Sequence, residues 1–478
     1  MLFNSFEFLL FFPVVTLIYF LLPHRYRWMH LLLASCVFYC FFIPVYLLIL
    51  LATIVVDYGA ALYMERHPGK AKKRALILSI VVTCLILAVF KYFNFFNDSF
   101  AAIAAFFHLN YPVKALAILL PIGLSFHTFQ SLSYVIEVYR GQQKAERHFG
   151  IYALYVMFYP QLVAGPIERP QNILHQFREK HRFNFDDAAI GLKMIAWGLF
   201  KKVVIADRLA IYVNSVYPNA GSHNGNTLLI ATLFFAFQIY CDFSGYSNIA
   251  IGTARVMGFK LMTNFNRPYF SKSIAEFWKR WHISLSTWFR DYLYIPLGGN
   301  RMGKSLHYRN LMLTFTISGL WHGANWTYVC WGALNGFYLV FAQMFNPYTA
   351  SWKAYFRAGK KTHALFSLYE LLATFLLILV AWVFFRAESL SMALEIINKI
   401  VFARGPVFIG EIHTFFYGCF FIGLLLLIEI FEEYKLMNSF SLFYNENIII
   451  RRLSYIGVVF FILLFGVFGE SQFIYFQF

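Results

Sequence analysis

The feature that most constrains this chain is the recurrence of long, nearly uncharged apolar runs. Phe8–Leu22, Leu31–Tyr63, Ala75–Phe90, Thr227–Tyr240, Leu371–Phe385, Phe415–Ile430 and Ile456–Phe468 all read this way. A membrane-crossing helix needs ~20 apolar residues, and a lipid-exposed backbone must satisfy its own hydrogen bonds. Helices do this locally, so the expected fold class is an all-α polytopic membrane protein. Only 13% of the 478 residues are charged, against about 25% in an ordinary soluble domain. Leu31–Tyr63 is long enough for two crossings. With the less obvious segments, the sequence predicts about 11–12 spans. The start of the chain, MLFNSFEFLLFF, carries Glu7 and has no basic residues. It reads as a first membrane helix, not as a cleavable signal peptide.

The net charge is +17. In a membrane protein, excess Lys and Arg mark cytoplasmic loops and contacts with anionic lipids, not nucleic acid. Such loops are His24–Arg27, Glu65–Arg74 and Phe177–Phe183, all expected on the cytoplasmic side. The six cysteines, at 36, 40, 84, 241, 330 and 419, are scattered and mostly within apolar sequence. They read as buried free thiols, with no disulfide framework and no metal site.

The chain has no repeat and no linker. Between Pro121 and Arg386, polar and ionisable residues enter the apolar sequence. Such residues are costly in a membrane, so chemistry is sought there. Asn264–Pro296 holds too many charges for a lipid-facing crossing, and its tryptophans suit an interface. One or two interfacial or partly inserted helices are expected, with His282 and Ser286 on one face. Gly298–Ser305, GGNRMGKS, fits the spacing of a phosphate-binding loop. No βαβ unit surrounds it, so a basic loop between membrane helices explains it as well.

His322 lies inside Ser318–Val340, a nearly apolar stretch. Ser318 and Asn325 are about one turn away on either side and suit an orienting role. A neutral imidazole in a dry pocket is a competent general base towards a hydroxyl. A core histidine satisfied by its neighbours is the plainer reading. His282 follows Lys279-Arg280-Trp281, which fits interfacial structure as well as catalysis. Ser284 and Ser286 are candidate relay hydroxyls. Asp242 and Asp291 read as a cap or as ion-pair partners. No HExxH, GxSxG or His-x4-Asp pattern is present at these positions, which argues against metalloprotease, serine hydrolase and glycerolipid-type acyltransferase chemistry.

Glu276–Arg301 and Ser318–Gly332 strongly resemble the membrane-bound O-acyltransferase (MBOAT) family. Pro121–Gly141, Phe158–Pro170, Tyr240–Gly252, Asn264–Trp278 and Trp382–Leu390 add to the likeness. The segments resemble the bacterial polysaccharide O-acetylation branch, AlgI- and PatA-like, with DltB more distant. The resemblance implies a multi-helix bowl with funnels to both faces. It divides the chain into N-terminal transmembrane helices (1–110), a catalytic core (111–395) and C-terminal transmembrane helices (396–478), one integrated membrane domain. It implies His322 as the catalytic histidine, His282 as a second signature histidine, and Asn325 as a residue shaping the pocket. Acyl relay or oxyanion support would fall to Ser286, Ser284 and Asn325, and contact with the donor's phosphates to Lys279 and Arg280.

The implied function is transfer of acetyl from cytoplasmic acetyl-CoA across the membrane, for O-acetylation of an extracytoplasmic polysaccharide of peptidoglycan or alginate type. The implied partners are acetyl-CoA, a secreted or periplasmic acetyltransferase of the PatB, AlgX or AlgJ kind, the polysaccharide and membrane lipids. No nucleic acid, resident cofactor or metal is expected, and the expected location is the bacterial cytoplasmic (inner) membrane. The alternative is an exporter of a glycan or lipid-linked intermediate without acyl chemistry. His127, in the segment that begins Pro121-Ile122-Gly123, stands where the resemblance implies an aromatic residue.

Overall fold

The computed structural model describes residues 1–117, 121, 123–163, 165–434, 447–469 and 473–474. Ile122 and Ala164, inside two of the motifs above, and 435–446, in the C-terminal part, lie outside them. The side chains of 353, 357, 358, 360 and 361 also lie outside.

Every regular element among the described residues is helical. The protein is an all-α polytopic membrane protein. Six described helices are long and apolar enough to cross a bilayer: Tyr46–Arg66, Lys70–Phe106, Gly225–Val256, Thr362–Arg386, Ile412–Tyr434 and Ile448–Phe465. The larger count expected from sequence draws on shorter or more polar helices, such as Phe6–Leu21, His24–Cys40 and Leu124–Arg140. At 1.5 Å per residue these reach about 25 Å, short of a ~30 Å core.

The breaks follow local chemistry. Leu31–Tyr63 does divide in two, because Pro44 interrupts it between Cys40 and Tyr46; proline lacks the N–H that a helix interior needs. Pro68 and Gly69 separate the next pair, with Gly69 at φ 75°. Ser5 caps the first helix by accepting from the Phe8 amide.

The chain forms two compact units, residues 1–195 with 246–262, and 196–245 with 263–478. In the first, Leu124–Arg140 is buried along almost its whole length. In the second, the core gathers Trp281, Trp331 and Trp382. Burial separates the spans by role. The apolar window of Gly225–Val256 is 83% buried and that of Ile448–Phe465 only 6%. The latter presents Leu453, Phe460 and Leu463 outward, as a lipid-facing helix should. Cys84 and Cys419 are exposed on such faces, which corrects the expectation of buried thiols; Cys241 is buried, and all six are free. Apolar sequence marks lipid contact as readily as core.

Asn264–Pro296 forms short helices, Ile274–Arg280 and Ile283–Phe289, then a π-turn at Arg290–Tyr294. Seven residues rise about 10 Å, far too little to cross. Ser273 caps the first of them, accepting from the Glu276 amide at 3.1 Å.

Candidate active site

The helix Lys304–His322 ends at His322, where Gly323 turns extended. A Cβ on Gly323 would fall 2.1 Å from the Tyr328 ring, so only glycine lets the next helix close over this end. Asn325 starts that helix, Trp326–Ala358. Its Oδ1 accepts from the Thr327 amide at 3.0 Å, and its Nδ2 donates to the Glu388 carbonyl at 3.0 Å. The expected helical turn between His322 and Asn325 is therefore absent. Asn325 is a cap, and its side chain shapes the connection behind the histidine.

His322 is buried. Its ring meets Trp321 at 4.8 Å, Trp331 at 4.9 Å and Phe385 at 5.5 Å between centroids, all steeply inclined. An imidazole boxed by aromatic rings sits in a medium that excludes water. Electrostatic interactions with a reacting group are strong in such a medium.

His282 is buried too, at φ 43°. It caps Ile283–Phe289 from outside the helix, so His282 and Ser286 do not share a helical face as the spacing suggested. The side chains diverge. The Ser286 hydroxyl donates to the Trp281 carbonyl at 3.1 Å. His282 Nδ1 lies 3.1 Å from Asn264 Oδ1. That same oxygen accepts from the Ser284 hydroxyl at 2.9 Å and the Ser284 amide at 3.3 Å. An amide N–H can only donate, so Asn264 Oδ1 is the acceptor and His282 Nδ1 carries the proton. Nε2 is then the nitrogen with the lone pair. Burial pushes the imidazole's pKa down to about 3, so the ring is neutral at ordinary pH. Phe243 packs edge-on at 4.5 Å. Trp321 stands between the two histidine rings, 6.5 Å from His282 and 4.8 Å from His322.

A cavity of about 290 Å³ opens beside this cluster. Lys279, Ser286, Tyr294 and His307 line it, and Trp278 and Ser318 lie along its wall. His322 stands behind that wall: Trp278 packs on Trp331 at 5.6 Å, and Trp331 on His322. Lys279 is the basic residue of its pair that faces the cavity. Arg280 instead binds Glu276 at 2.7 Å and Glu433 at 2.8 Å. Asp242 joins Lys202 at 2.7 Å in a buried ion pair and accepts from the Ile474 amide. Asp291 pairs with Arg290. Both acids take the plain roles read from sequence.

The Gly298–Ser305 loop follows helix and turn, not a strand, and Asn310 holds it through the Leu297 and Gly299 carbonyls. Among the described residues no three His, Cys, Asp or Glu side chains gather as a metal site.

Sequence reasoning left three participants unassigned. Asn264 fixes the His282 tautomer, and it opens a quoted motif. Trp278 forms the cavity wall. His307, within hydrogen-bond reach of Tyr294 and Gln343 at 2.6 Å each, lines the cavity; only its closeness to the glycine loop hinted at it.

The profile of the membrane-bound O-acyltransferase family matches residues 148–381, which hold both histidines. The chain is 42% identical over 396 residues to the probable alginate O-acetylase AlgI of Pseudomonas aeruginosa, covering 82% of this chain and 73% of that protein. It is 38% identical to the peptidoglycan O-acetyltransferase of Helicobacter pylori, covering 78% and 74%. The teichoic acid D-alanyltransferase of Bacillus subtilis is more distant, at 29% over 48% of this chain and 61% of its own.

Proposed function

Because this chain belongs to the membrane-bound O-acyltransferase family, we propose that it moves acetyl groups from cytoplasmic acetyl-CoA across the bacterial cytoplasmic membrane. There they would O-acetylate an extracytoplasmic polysaccharide of alginate or peptidoglycan type, through a secreted or periplasmic acetyltransferase. As a member of the family the protein is an O-acyltransferase; the acetyl group, the CoA donor, the partner and the glycan are the proposal. The names of the alginate and peptidoglycan relatives support the acyl group and the acceptor class.

The observation that carries the mechanism is the cavity lined by Lys279, Trp278 and Ser318, the last of them one turn before His322 on the same helix. The extended thioester arm is the part of the donor that would enter it. Lys279 would attract the donor's phosphates while the arm enters. His322 takes the proton of an incoming hydroxyl, and the oxygen attacks the thioester carbonyl. The C–O bond forms, the C–S bond breaks, and the proton passes from His322 to the departing sulfur. Trp278 must move aside for the thioester to reach His322, and Trp331, packed on that histidine, keeps water from it. Ser286, on the cavity wall, is the hydroxyl placed to relay an acetyl group if transfer is covalent.

The test is transfer of labelled acetyl from acetyl-CoA by purified protein in nanodiscs, with and without the secreted partner. His322→Ala should lose ~10²–10⁴ in rate. Near-normal transfer by that variant would remove the base. Glycan movement with no acetyl transfer would favour an exporter.

A further inference from the structure

His127 belongs to no part of the transfer mechanism, yet it is buried in the first unit. Its ring bonds define its tautomer. The Thr53 hydroxyl donates to the Leu50 carbonyl at 2.7 Å, which uses its only proton. The contact of 3.3 Å between Thr53 Oγ1 and His127 Nε2 must then be donated by the ring. Nε2 carries the proton and Nδ1 the lone pair. Nδ1 is buried with no partner in the protein.

A second buried acceptor lies close by. Gln161 donates through Nε2 to the Tyr155 carbonyl at 2.8 Å, which fixes the orientation of its amide. Its Oε1 is likewise buried without a partner. His127 and Gln161 line one small cavity of about 10 Å³, together with Gln130. That is roughly the volume a single water requires, and a buried water needs two or more polar partners. Two acceptors around one void cannot satisfy each other, but a molecule with two O–H groups satisfies both.

We propose that this cavity is a binding site for one ordered water, which donates to His127 Nδ1 and Gln161 Oε1. Gln130 already donates to Tyr155 at 3.2 Å, and its amide has a second N–H to offer the water oxygen. The water joins the Leu124–Arg140 helix to the turn that runs through Gln161. An aromatic residue at 127 would remove one of its two acceptors, so the site is tied to this chain's histidine. The inference stands apart from the acetyl-transfer reading.

The test is solid-state NMR of full-length protein in bilayers with 15N-labelled histidine. The His127 signals are assigned by their loss in His127→Asn, or in His127→Phe should the first variant fail to fold. The expected result is a protonated Nε2, an unprotonated Nδ1 and magnetisation transfer from a slowly exchanging water to Nδ1. In Gln161→Leu that water signal should collapse while the tautomer is kept. A proton on Nδ1, or an unprotonated Nδ1 with no water contact, overturns the proposal.

Discussion

Asn264 satisfies three donors with one oxygen, and much of the site's order depends on that atom. Asn264→Ala would leave the Ser284 hydroxyl and His282 Nδ1–H buried without their acceptor. Each such loss costs about 1–3 kcal/mol. The variant should melt several degrees lower in detergent, and its transfer rate should fall because the His282 tautomer is released. An unchanged melting curve would show that the shared oxygen contributes little.

The same histidine sets an acid limit. Its folded pKa is lowered to about 3, while an unfolded histidine titrates near ~6.5. As pH falls below the latter value the unfolded chain takes the proton first. The contribution is therefore complete above about pH 6.5 and is lost progressively towards about pH 3, at up to ~1.4 kcal/mol per unit. Melting temperatures across pH 7 to 4 should fall more steeply for the wild type than for His282→Gln. Parallel slopes would assign the acid sensitivity elsewhere. Lys279 and Arg280 part in the same way. Lys279→Ala should raise the KM for the donor at near-native stability. Arg280→Ala should lower stability by breaking its pairs with Glu276 and Glu433. His322 stood out in the sequence because an ionisable group in apolar surroundings needs a reason, whereas His282 stood in a charged segment and drew attention chiefly through the family resemblance. The division of labour between two adjacent cations was not legible there, since it depends on Glu433, more than 150 residues further along the chain.

Helices here approach through small residues. A Cβ on Gly319 would stand 2.2 Å from the Tyr328 carbonyl, and one on Gly332 2.2 Å from the Phe315 carbonyl. The two glycines face each other across the pair Lys304–His322 and Trp326–Ala358. The backbones touch one turn before His322, as small residues allow in membrane proteins. Gly319→Ala or Gly332→Ala must push these helices apart, at about 1–3 kcal/mol for an overpacked contact. Transfer should drop in both variants although neither touches substrate, and thermal unfolding in detergent should shift with it. Loss of activity at an unchanged melting temperature would separate packing from catalysis. Apolar run lengths located the long apolar helices and the room for two crossings in Leu31–Tyr63, but not the break at Pro44. The spacing reading went further astray at two places. It misjudged the helix face shared by His282 and Ser286, because nothing in the spacing reveals a left-handed residue at 282. It also ran the helix through Asn325, where a cap begins the next one.

The three basic loops read from sequence converge in the first unit. His24 reaches the Arg178 carbonyl at 3.1 Å, and Arg27 donates to the His181 carbonyl. Arg178 pairs with Glu146, while the neighbouring Arg147 pairs with Glu65 at 3.4 Å. Segments more than 100 residues apart thus put their Lys and Arg on one side of this unit. A membrane potential and anionic lipids favour that side facing the cytoplasm. Charge counting grouped these loops on a common side but not their adjacency, which only the helix packing creates. The arrangement gives a test of orientation that does not depend on activity. Lys73→Cys and Arg182→Cys, both at exposed positions, should react with a membrane-impermeant maleimide in inverted vesicles and resist it in intact cells. The comparison is made on a background without Cys84 and Cys419, which are themselves exposed. Labelling of the two sites from opposite faces would break the grouping. Labelling of both in intact cells would invert the protein, and with it the direction in which an acyl group must travel.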